Sequence, residues 1–365
     1  MDGLFIRAAF ARAPGLRASH VAALLGAAEG ELTRCLEPQR LARVRLPPQA
    51  LAWLRFPDTV QLDSDIRWIS HSGAHLLTGT DPEYPAQLRQ LADAPAALFV
   101  LGDLQKLAAP QLAMVGSRSP TASGSDTAFQ FAAQLARAGL TITSGLATGI
   151  DAASHRGALS VEQGITIAVC GTGLDEVYPI QHKELAARIR QRGALVSELA
   201  PRTPPRQANF PQRNRLISGL SQATLVVEAR LHSGSLGTAR HARRHGRKVL
   251  AIPGSITSPL ARGTHKLIRD GATLVQDPGE VLQELEISLP NEGLRSSRGT
   301  RRRGLPMDKG YEMLLDAVGF GPVGVDILAI RTGLPGELIS SMLLVLELEG
   351  RIASYPGGQF GRISR

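Results

Sequence analysis

The sequence LAMVGSR at residues 112–118 places a short apolar run directly before a glycine turn. A run that is apolar at every position is typical of a parallel strand whose two faces are both covered. The same unit, a strand, a turn rich in glycine or serine and then a helix, recurs as far as about residue 286. The predicted strands are 112–115, 140–143, 165–170, 194–197, 224–228, 249–252 and 273–275.

This alternation predicts an α/β fold with a doubly wound, mostly parallel sheet of the Rossmann type over residues 76–290. Residues 1–75 are rich in alanine and leucine at helical spacing, which predicts a small helical domain of the SAM or helix-hairpin-helix type. Residues 291–306 are polar and arginine-rich and are predicted to be a linker. Residues 307–365 have the order helix, helix, turn, helix, hairpin, which is typical of a winged helix.

One segment holds the whole charge imbalance of the chain. The 365 residues carry a net charge of +9. Between Pro201 and Lys248 there are ten basic residues and a single acidic one, Glu228, whereas bases and acids are equal in number elsewhere. Such a concentration suggests a polyanionic partner, either nucleic acid or a phosphate-bearing ligand. The alternative is that these arginines are solvated at the surface and bind no partner.

Other features of the composition disfavour several classes of protein. No apolar run reaches the roughly 18 residues that a membrane span needs, and the first residues lack the apolar block of a signal peptide. Cys35 and Cys170 are too few for a zinc cluster, and Cys170 lies in an apolar run. We therefore expect a protein of the reducing cytoplasm with no metal, no cofactor and no membrane partner.

In an open parallel sheet, ligands bind beyond the carboxyl ends of the strands. Gly116, Ser117 and Arg118 follow the first predicted strand, where amide groups of the turn and a guanidinium could together hold a phosphate. An ordinary turn from strand to helix is the alternative. Ser233 and Gly234 form a second such turn, which opens a helix that carries several arginines.

The block NFPQRNR at residues 209–215 is a further candidate. An aromatic ring beside closely spaced arginines suits a nucleic acid, because the ring can stack on a base while guanidinium groups hold phosphates. Burial of Phe210 as a packing residue is the alternative. Together with the loops, this block predicts an elongated anionic-ligand groove.

Two other patterns carry less functional information. Asp151 and His155 share one face of a predicted helix. They could form a catalytic or metal-binding pair, or they could have a purely structural role. Gly171 and Gly173 form a G-x-G that lacks the third glycine of a dinucleotide fingerprint, so that function is disfavoured. No nucleophile and base stand at a suitable spacing, and no catalytic residue is predicted.

In their order along the chain, these blocks resemble the DNA-processing protein A family, also called DprA or Smf. The resemblance covers roughly residues 112–275. It rests on GSR at 116–118, SGLA at 144–147, GID at 149–151, GTGLD at 171–175, YP at 178–179, SE at 197–198, FPQRNRLISGLS at 210–221, VEA at 227–229, SGSL at 233–236 and PG at 253–254.

The resemblance implies an extended Rossmann-like core that binds single-stranded DNA, protects incoming strands and assists RecA loading in natural transformation, without catalysis. The expected partners are single-stranded DNA, RecA recombinase, single-stranded-DNA-binding protein and a second copy of the chain, in a homodimer. The predicted DNA contacts, from the resemblance and from the basic blocks, are Gly116, Ser117, Arg118, Ser144, Gly145, Gly171, Gly173, Arg206, Phe210, Arg213, Asn214, Arg215, Ser233, Gly234, Arg240, Arg243 and Lys266.

The chain departs from the family pattern at two places. Members often carry a lysine shortly before the phenylalanine, where this chain has Arg206 and Gln207, so we expect that contact to shift. The family's Gly-Thr-Asn near the last strand is Gly263, Thr264 and His265 here.

Two other functions stay open at this point. A nucleotide phosphoribohydrolase of the lysine-decarboxylase-like (LOG) family shares this Rossmann variant, but its P-G-G-x-G-T-x-x-E signature corresponds here to SGSLGTARH, with His241 near the place of the catalytic glutamate. The second open function is docking of the winged helix on duplex DNA. Its predicted recognition helix carries Glu337, Glu347 and Glu349 and no basic residue, which favours a protein partner instead.

Overall fold

The computed structural model describes residues 3–287, 309–319 and 321–363, so the predicted linker 291–306 lies outside the described residues. The chain divides into two compact units, 1–290 and 291–365. The strands of the first unit are β1 (His75–Thr78), β2 (Ala97–Gly102), β3 (Gln111–Val115), β4 (Thr141–Ser144), β5 (Thr166–Val169), β6 (Ala194–Ser197), β7 (Ala223–Val226), β8 (Lys248–Ala251) and β9 (Thr273–Leu274).

Thirteen α-helices accompany these strands in the described part of the first unit. They are α1 (Gly3–Arg12), α2 (Ala18–Ala27), α3 (Pro38–Leu41), α4 (Pro48–Arg55), α5 (Thr59–Ser72), α6 (Ala86–Arg89), α7 (Ala122–Arg137), α8 (Ile150–Leu159), α9 (Lys183–Arg192), α10 (Asn209–Leu220), α11 (Ser235–Arg244), α12 (Arg262–Arg269) and α13 (Pro278–Glu284). Short 3-10 turns lie at Leu32–Arg34, Leu104–Ala108 and Ile180–His182.

The nine strands form one sheet in the order β1-β2-β6-β5-β4-β3-β7-β8-β9. The seven strands from β6 to β9 in this order are parallel, and β2 pairs antiparallel with both β6 and β1. The predicted α/β fold with a mostly parallel, doubly wound sheet is confirmed. Chain order reverses between β3 and β7, because β4 to β6 follow on one side of β3 and β7 to β9 on the other. That reversal is the position at which open α/β sheets bind ligands.

The central parallel strands β3 to β7 are buried at successive positions because helices cover both faces of the sheet. In β3, Leu112 and Met114 join the core cluster that contains residues of α7, whereas Ala113 and Val115 join the cluster that contains residues of α10. This alternation places α7 and α10 on opposite faces of the sheet.

The N-terminal helices pack in one hydrophobic cluster with β1, β2 and α9. Asp65 of α5 is fully buried and forms ion pairs with Arg12 of α1 and, at 3.0 Å, with Arg202 in the loop after β6. Arg12 also donates to the Pro201 carbonyl at 3.2 Å. These contacts fix the segment that leads into α10. Strand β1 was not predicted, because its four residues directly follow a long helix and give too short an apolar run.

The second unit contains α14 (Lys309–Val318), β10 (Val323–Gly324), α15 (Val325–Thr332), α16 (Gly336–Leu348), β11 (Ile352–Tyr355) and β12 (Gln359–Arg362). Its three strands pair antiparallel in the order β10-β12-β11, which agrees with the predicted winged helix. Leu338, Leu344 and Leu348 lie exposed on α16. Across the described ranges no single helix is long and apolar enough to cross a membrane; α15 and α16 pass that test only as a pair bent by 108°.

Candidate nucleic-acid interface

A cleft of about 800 Å³ opens beside the point at which chain order reverses, between the loops that follow β3 and β7 and the first turns of α10. Of the predicted contacts, it is lined by Gly116, Ser117, Arg118, Phe210, Arg213, Asn214, Ser233 and Gly234. Several other lining residues were not predicted from the sequence, among them Ser119, Tyr178, Gln207, Arg230, His232 and Ser235.

The turn after β3 is fixed by both neighbouring loops. The Ser117 amide donates to the Glu228 carbonyl at 2.7 Å, and the Ser117 carbonyl accepts from the Ile150 amide at 3.1 Å. The Arg118 carbonyl accepts from the Thr148 hydroxyl at 3.1 Å, while the Arg118 side chain is exposed. Since the Ser117 amide is already used, the Arg118 guanidinium is better placed than this amide to meet an anion.

An aromatic cluster forms one wall of the cleft. The rings of Phe210 and Tyr178 lie 5.4 Å apart between centroids at 37°, and the Arg118 guanidinium carbon lies 5.6 Å from the Phe210 centroid. A Cβ atom at Gly171 would lie only 2.8 Å from the Phe210 ring, so a larger residue there would displace the ring. Phe210 is half-buried and Tyr178 is 47% exposed, which leaves both rings accessible. The YP block was visible in the sequence, but nothing in it placed Tyr178 against Phe210.

Arg213 differs from its predicted role as a phosphate contact. It is only 5% exposed and donates to the Gly145 carbonyl at 2.7 Å and to the Val169 carbonyl. Burial lowers the pKa of its guanidinium. The Asp151 carboxylate accepts from the Gly145 amide at 3.1 Å, so Arg213 and Asp151 both hold the end of β4. Arg213 therefore fixes the ends of β4 and β5 against α10 at the buried base of the cleft.

Arg215 and four other predicted contacts lie behind the cleft surface. Arg215 pairs with Glu198 and donates to the Asp93 carbonyl at 2.6 Å. The Ser144 hydroxyl donates to the Met114 carbonyl at 2.6 Å. Ser144, Gly145, Gly171 and Gly173 are buried and act in packing between loops rather than as an open surface. They shape the groove only indirectly.

The remaining predicted contacts are exposed but do not line this cleft. They are Arg206, Arg240, Arg243 and Lys266. Lys266 pairs with Asp270 at 3.1 Å, and Arg243 donates to the Leu267 carbonyl at 3.2 Å. Of the ten basic residues between Pro201 and Lys248, only Arg213 and Arg230 line the cleft. The basic segment is thus spread over several surfaces and is not gathered at one groove.

The pair of Asp151 and His155 has structural partners. The His155 Nδ1 lies 2.7 Å from the Thr166 hydroxyl, and burial lowers the pKa of His155 to about 3, so the ring is neutral. Burial raises the pKa of the Cys170 thiol to about 11, which keeps it unreactive. Within residues 3–287, 309–319 and 321–363, no group of three or more histidine, cysteine or acidic side chains could hold a metal ion.

Comparison with known proteins gives consistent matches over most of the chain. Residues 75–286 match the family model for DNA recombination-mediator protein A, and residues 301–358 match the DprA winged helix domain. Protein Smf of Escherichia coli (strain K12) is 44% identical over 314 residues, which are 85% of this chain and 83% of that protein. The DNA processing protein DprA of Streptococcus pneumoniae is 44% identical over 206 residues, 56% of this chain and 72% of that protein.

Solved structures of proteins from the same family also match this chain. The X-ray structure of DprA from Streptococcus pneumoniae superposes with a TM-score of 0.64 at 35% identity, over 75% of this chain and 95% of that one. DNA processing protein A from Helicobacter pylori, studied for its single-stranded DNA binding mode, gives a TM-score of 0.54 at 29% identity, over 60% of this chain and 97% of that one. By these matches, the chain belongs to the DNA recombination-mediator protein A family, known as DprA or Smf, whose role is DNA processing.

Proposed function

We propose that the cleft binds single-stranded DNA, with a base stacked on Phe210 and a phosphate held by Arg118. The observation that carries this proposal is the accessible Phe210 ring, flanked by Tyr178 at 5.4 Å and by the Arg118 guanidinium at 5.6 Å. An unpaired base exposes its whole face to such a ring, whereas a base in a duplex is already stacked on its neighbours, and stacking tolerates every sequence because each base has a π face. This arrangement favours a single strand over a duplex.

The names of the relatives support a role in recombination for this chain. The Helicobacter pylori protein is described by its single-stranded DNA binding mode, and the matching family is named for recombination mediation. We propose that this chain protects incoming single strands and assists RecA loading in natural transformation. On this proposal it is a cytoplasmic homodimer and also binds single-stranded-DNA-binding protein. On this proposal it acts by binding and not by catalysis.

The side chains of the cleft do not favour the phosphoribohydrolase alternative. Asp151 is the one carboxylate among the described residues that line the cleft, and it accepts hydrogen bonds from the Gly145 and Ala147 amides. His241, near the place of the catalytic glutamate, lies on α11 with its ring 6.1 Å from that of His245. A general base for water attack on a nucleotide would need a freer carboxylate.

A salt-titrated binding measurement tests the proposal. Fluorescence anisotropy with a labelled oligonucleotide, as a single strand and as the matching duplex, should show tighter binding of the single strand. The logarithm of its binding constant should fall linearly with the logarithm of salt concentration, with a slope of about −0.7 for each phosphate contacted. Equal or tighter binding of the duplex, or no binding of the single strand at moderate salt, would refute the proposal.

A further inference from the structure

The buried carboxylate of Asp65 on α5 lies at the junction between the N-terminal helices and the loop that leads to Phe210. We propose that Asp65 is a positioning residue for DNA binding. By holding Arg202 it fixes the loop at residues 200–208, and through this loop it fixes the Phe210 ring. The proposal rests on the proposed function, because it concerns how the ring of that cleft is held in place for a base.

Asp65 is bound from both sides of the junction. Its side chain is fully buried, and its carboxylate accepts from the Arg12 guanidinium at 2.8 Å and from the Arg202 guanidinium at 3.0 Å. Arg12 belongs to α1 and also donates to the Pro201 carbonyl at 3.2 Å. Because an unpaired charge is costly to bury, the carboxylate and its two guanidinium partners hold one another in place. Asp65 therefore couples α1 and α5 to the start of the loop.

Arg202 has a backbone conformation that needs support from its neighbours. Its φ is +63°, in the left-handed region that residues other than glycine rarely adopt. The Arg202 amide donates to both carboxylate oxygens of Asp175, at 2.8 and 2.9 Å. Its guanidinium donates to Asp65 and to the Ser64 hydroxyl. Two carboxylates thus hold Arg202, one through the main chain and one through the side chain, and loss of Asp65 removes the second.

The loop at residues 200–208 ends two residues before Phe210, which lies in the first turn of α10. The Thr203 carbonyl accepts from the Gly173 amide at 3.0 Å, so the loop is also attached to the loop that follows β5. Ordering a loop at the moment of binding reduces affinity, whereas a loop that is ordered beforehand does not. We therefore expect the anchor at Asp65 to increase the affinity of the Phe210 cleft without touching the DNA.

Charge alone predicts the opposite effect of removing this anchor. Asp65→Asn removes a negative charge, and a more positive chain should bind a polyanion more tightly. Asp81→Asn is the matched control, because its carboxylate also pairs with an arginine of α1, Arg7, and the charge change is the same. Asp81 follows β1, the edge strand of the sheet. A loss of affinity in Asp65→Asn but not in Asp81→Asn therefore reports on position and not on charge.

The experiment is a double-mutant cycle on the full-length protein, with fluorescence anisotropy of a labelled oligothymidine of about six nucleotides as the readout. The cycle compares Asp65→Asn, Phe210→Ala and the variant that carries both substitutions. Circular dichroism during heating sets a temperature at which every variant is folded. Arg202→Met removes the other partner of the same ion pair, and it takes the place of Asp65→Asn in the cycle if that variant does not fold.

We expect Asp65→Asn to bind the oligomer about fivefold more weakly than the wild type, with an unchanged salt slope because no phosphate contact is lost. In the Phe210→Ala background the same substitution should change the affinity by less than about twofold, since the ring that it positions is absent. Arg202→Met should weaken binding in the same way as Asp65→Asn. Asp81→Asn should bind as tightly as the wild type.

Several results would overturn this inference. They are unchanged or tighter binding by Asp65→Asn, an equal loss in the Phe210→Ala background, and an equal loss in Asp81→Asn. A salt slope shallower by about 0.7 in Arg202→Met would also overturn it, because the Arg202 guanidinium would then be a phosphate contact. If the wild type did not bind the oligomer, or if Phe210→Ala bound it equally well, the proposed function itself would fail.

Discussion

Replacement of Phe210 by alanine is expected to weaken binding of single-stranded DNA at least tenfold while leaving the fold intact. Stacking of a base on an aromatic side chain contributes about 1–3 kcal/mol, and tenfold corresponds to about 1.4 kcal/mol. The Phe210 ring is half-buried over Gly171, so its removal leaves the helix and the turn in place. Anisotropy titrations at one fixed salt concentration measure the loss.

The controls for this variant separate stacking from charge. Phe56→Ala removes a ring that is 85% exposed on the N-terminal helices and should change nothing. Phe210→Trp should retain most of the affinity, because a larger ring also stacks. The salt slope of Phe210→Ala should equal that of the wild type, since the ring meets no phosphate. Wild-type affinity in Phe210→Ala would show that this ring is not the stacking platform.

Replacement of Arg213 by methionine is expected to lower the free energy of unfolding by about 3 kcal/mol. The carbonyls of Gly145 and Val169 would lose a buried donor, at about 1–3 kcal/mol each. The buried Asp151 carboxylate would also lose its neighbouring positive charge, which raises the cost further. Urea denaturation at neutral pH, followed by circular dichroism, measures the change.

Arg206→Met is the matched control, because Arg206 is exposed on the segment that leads into the same helix, and its stability should stay within about 0.5 kcal/mol of the wild type. A second outcome would reverse our assignment of Arg213. If Arg213→Met kept wild-type stability and instead reduced the salt slope by about 0.7, its guanidinium would be a phosphate contact. That was the role predicted from the sequence.

The sheet could be predicted from the sequence because most of the parallel strands are short, largely apolar runs followed by a turn. Strand β6 agrees with the prediction at both ends, and β7 and β8 begin one residue before the predicted strands. Strand β1 could not be predicted in this way, since an antiparallel edge strand of four residues lacks that signature. Strand order also depends on which helices pack on which face, and that is decided by contacts distant in sequence.

That the two predicted blocks would meet could be foreseen from the sequence, but the surroundings of each arginine could not. The turn at 116–118 and Phe210 meet in one cleft, as sheet geometry led us to expect. However, Arg213 and Arg215 stand in the same block as Phe210 and have internal partners, namely carbonyls of remote loops and Glu198. A sequence does not show which backbone carbonyls a given side chain will reach in the fold. For the same reason, the net charge of residues 201–248 did not reveal that only two of its cations reach the cleft.

Photo-crosslinking tests the central claim, a base stacked in the Phe210 cleft, most directly. A single-stranded oligonucleotide that contains 5-iododeoxyuridine is bound to the full-length protein, irradiated and digested, and the crosslinked peptide is identified by mass spectrometry. We predict attachment at Phe210 or Tyr178, the two adjacent aromatic rings that line the cleft. Crosslinks confined to residues 309–363, with none at either ring, would contradict the account.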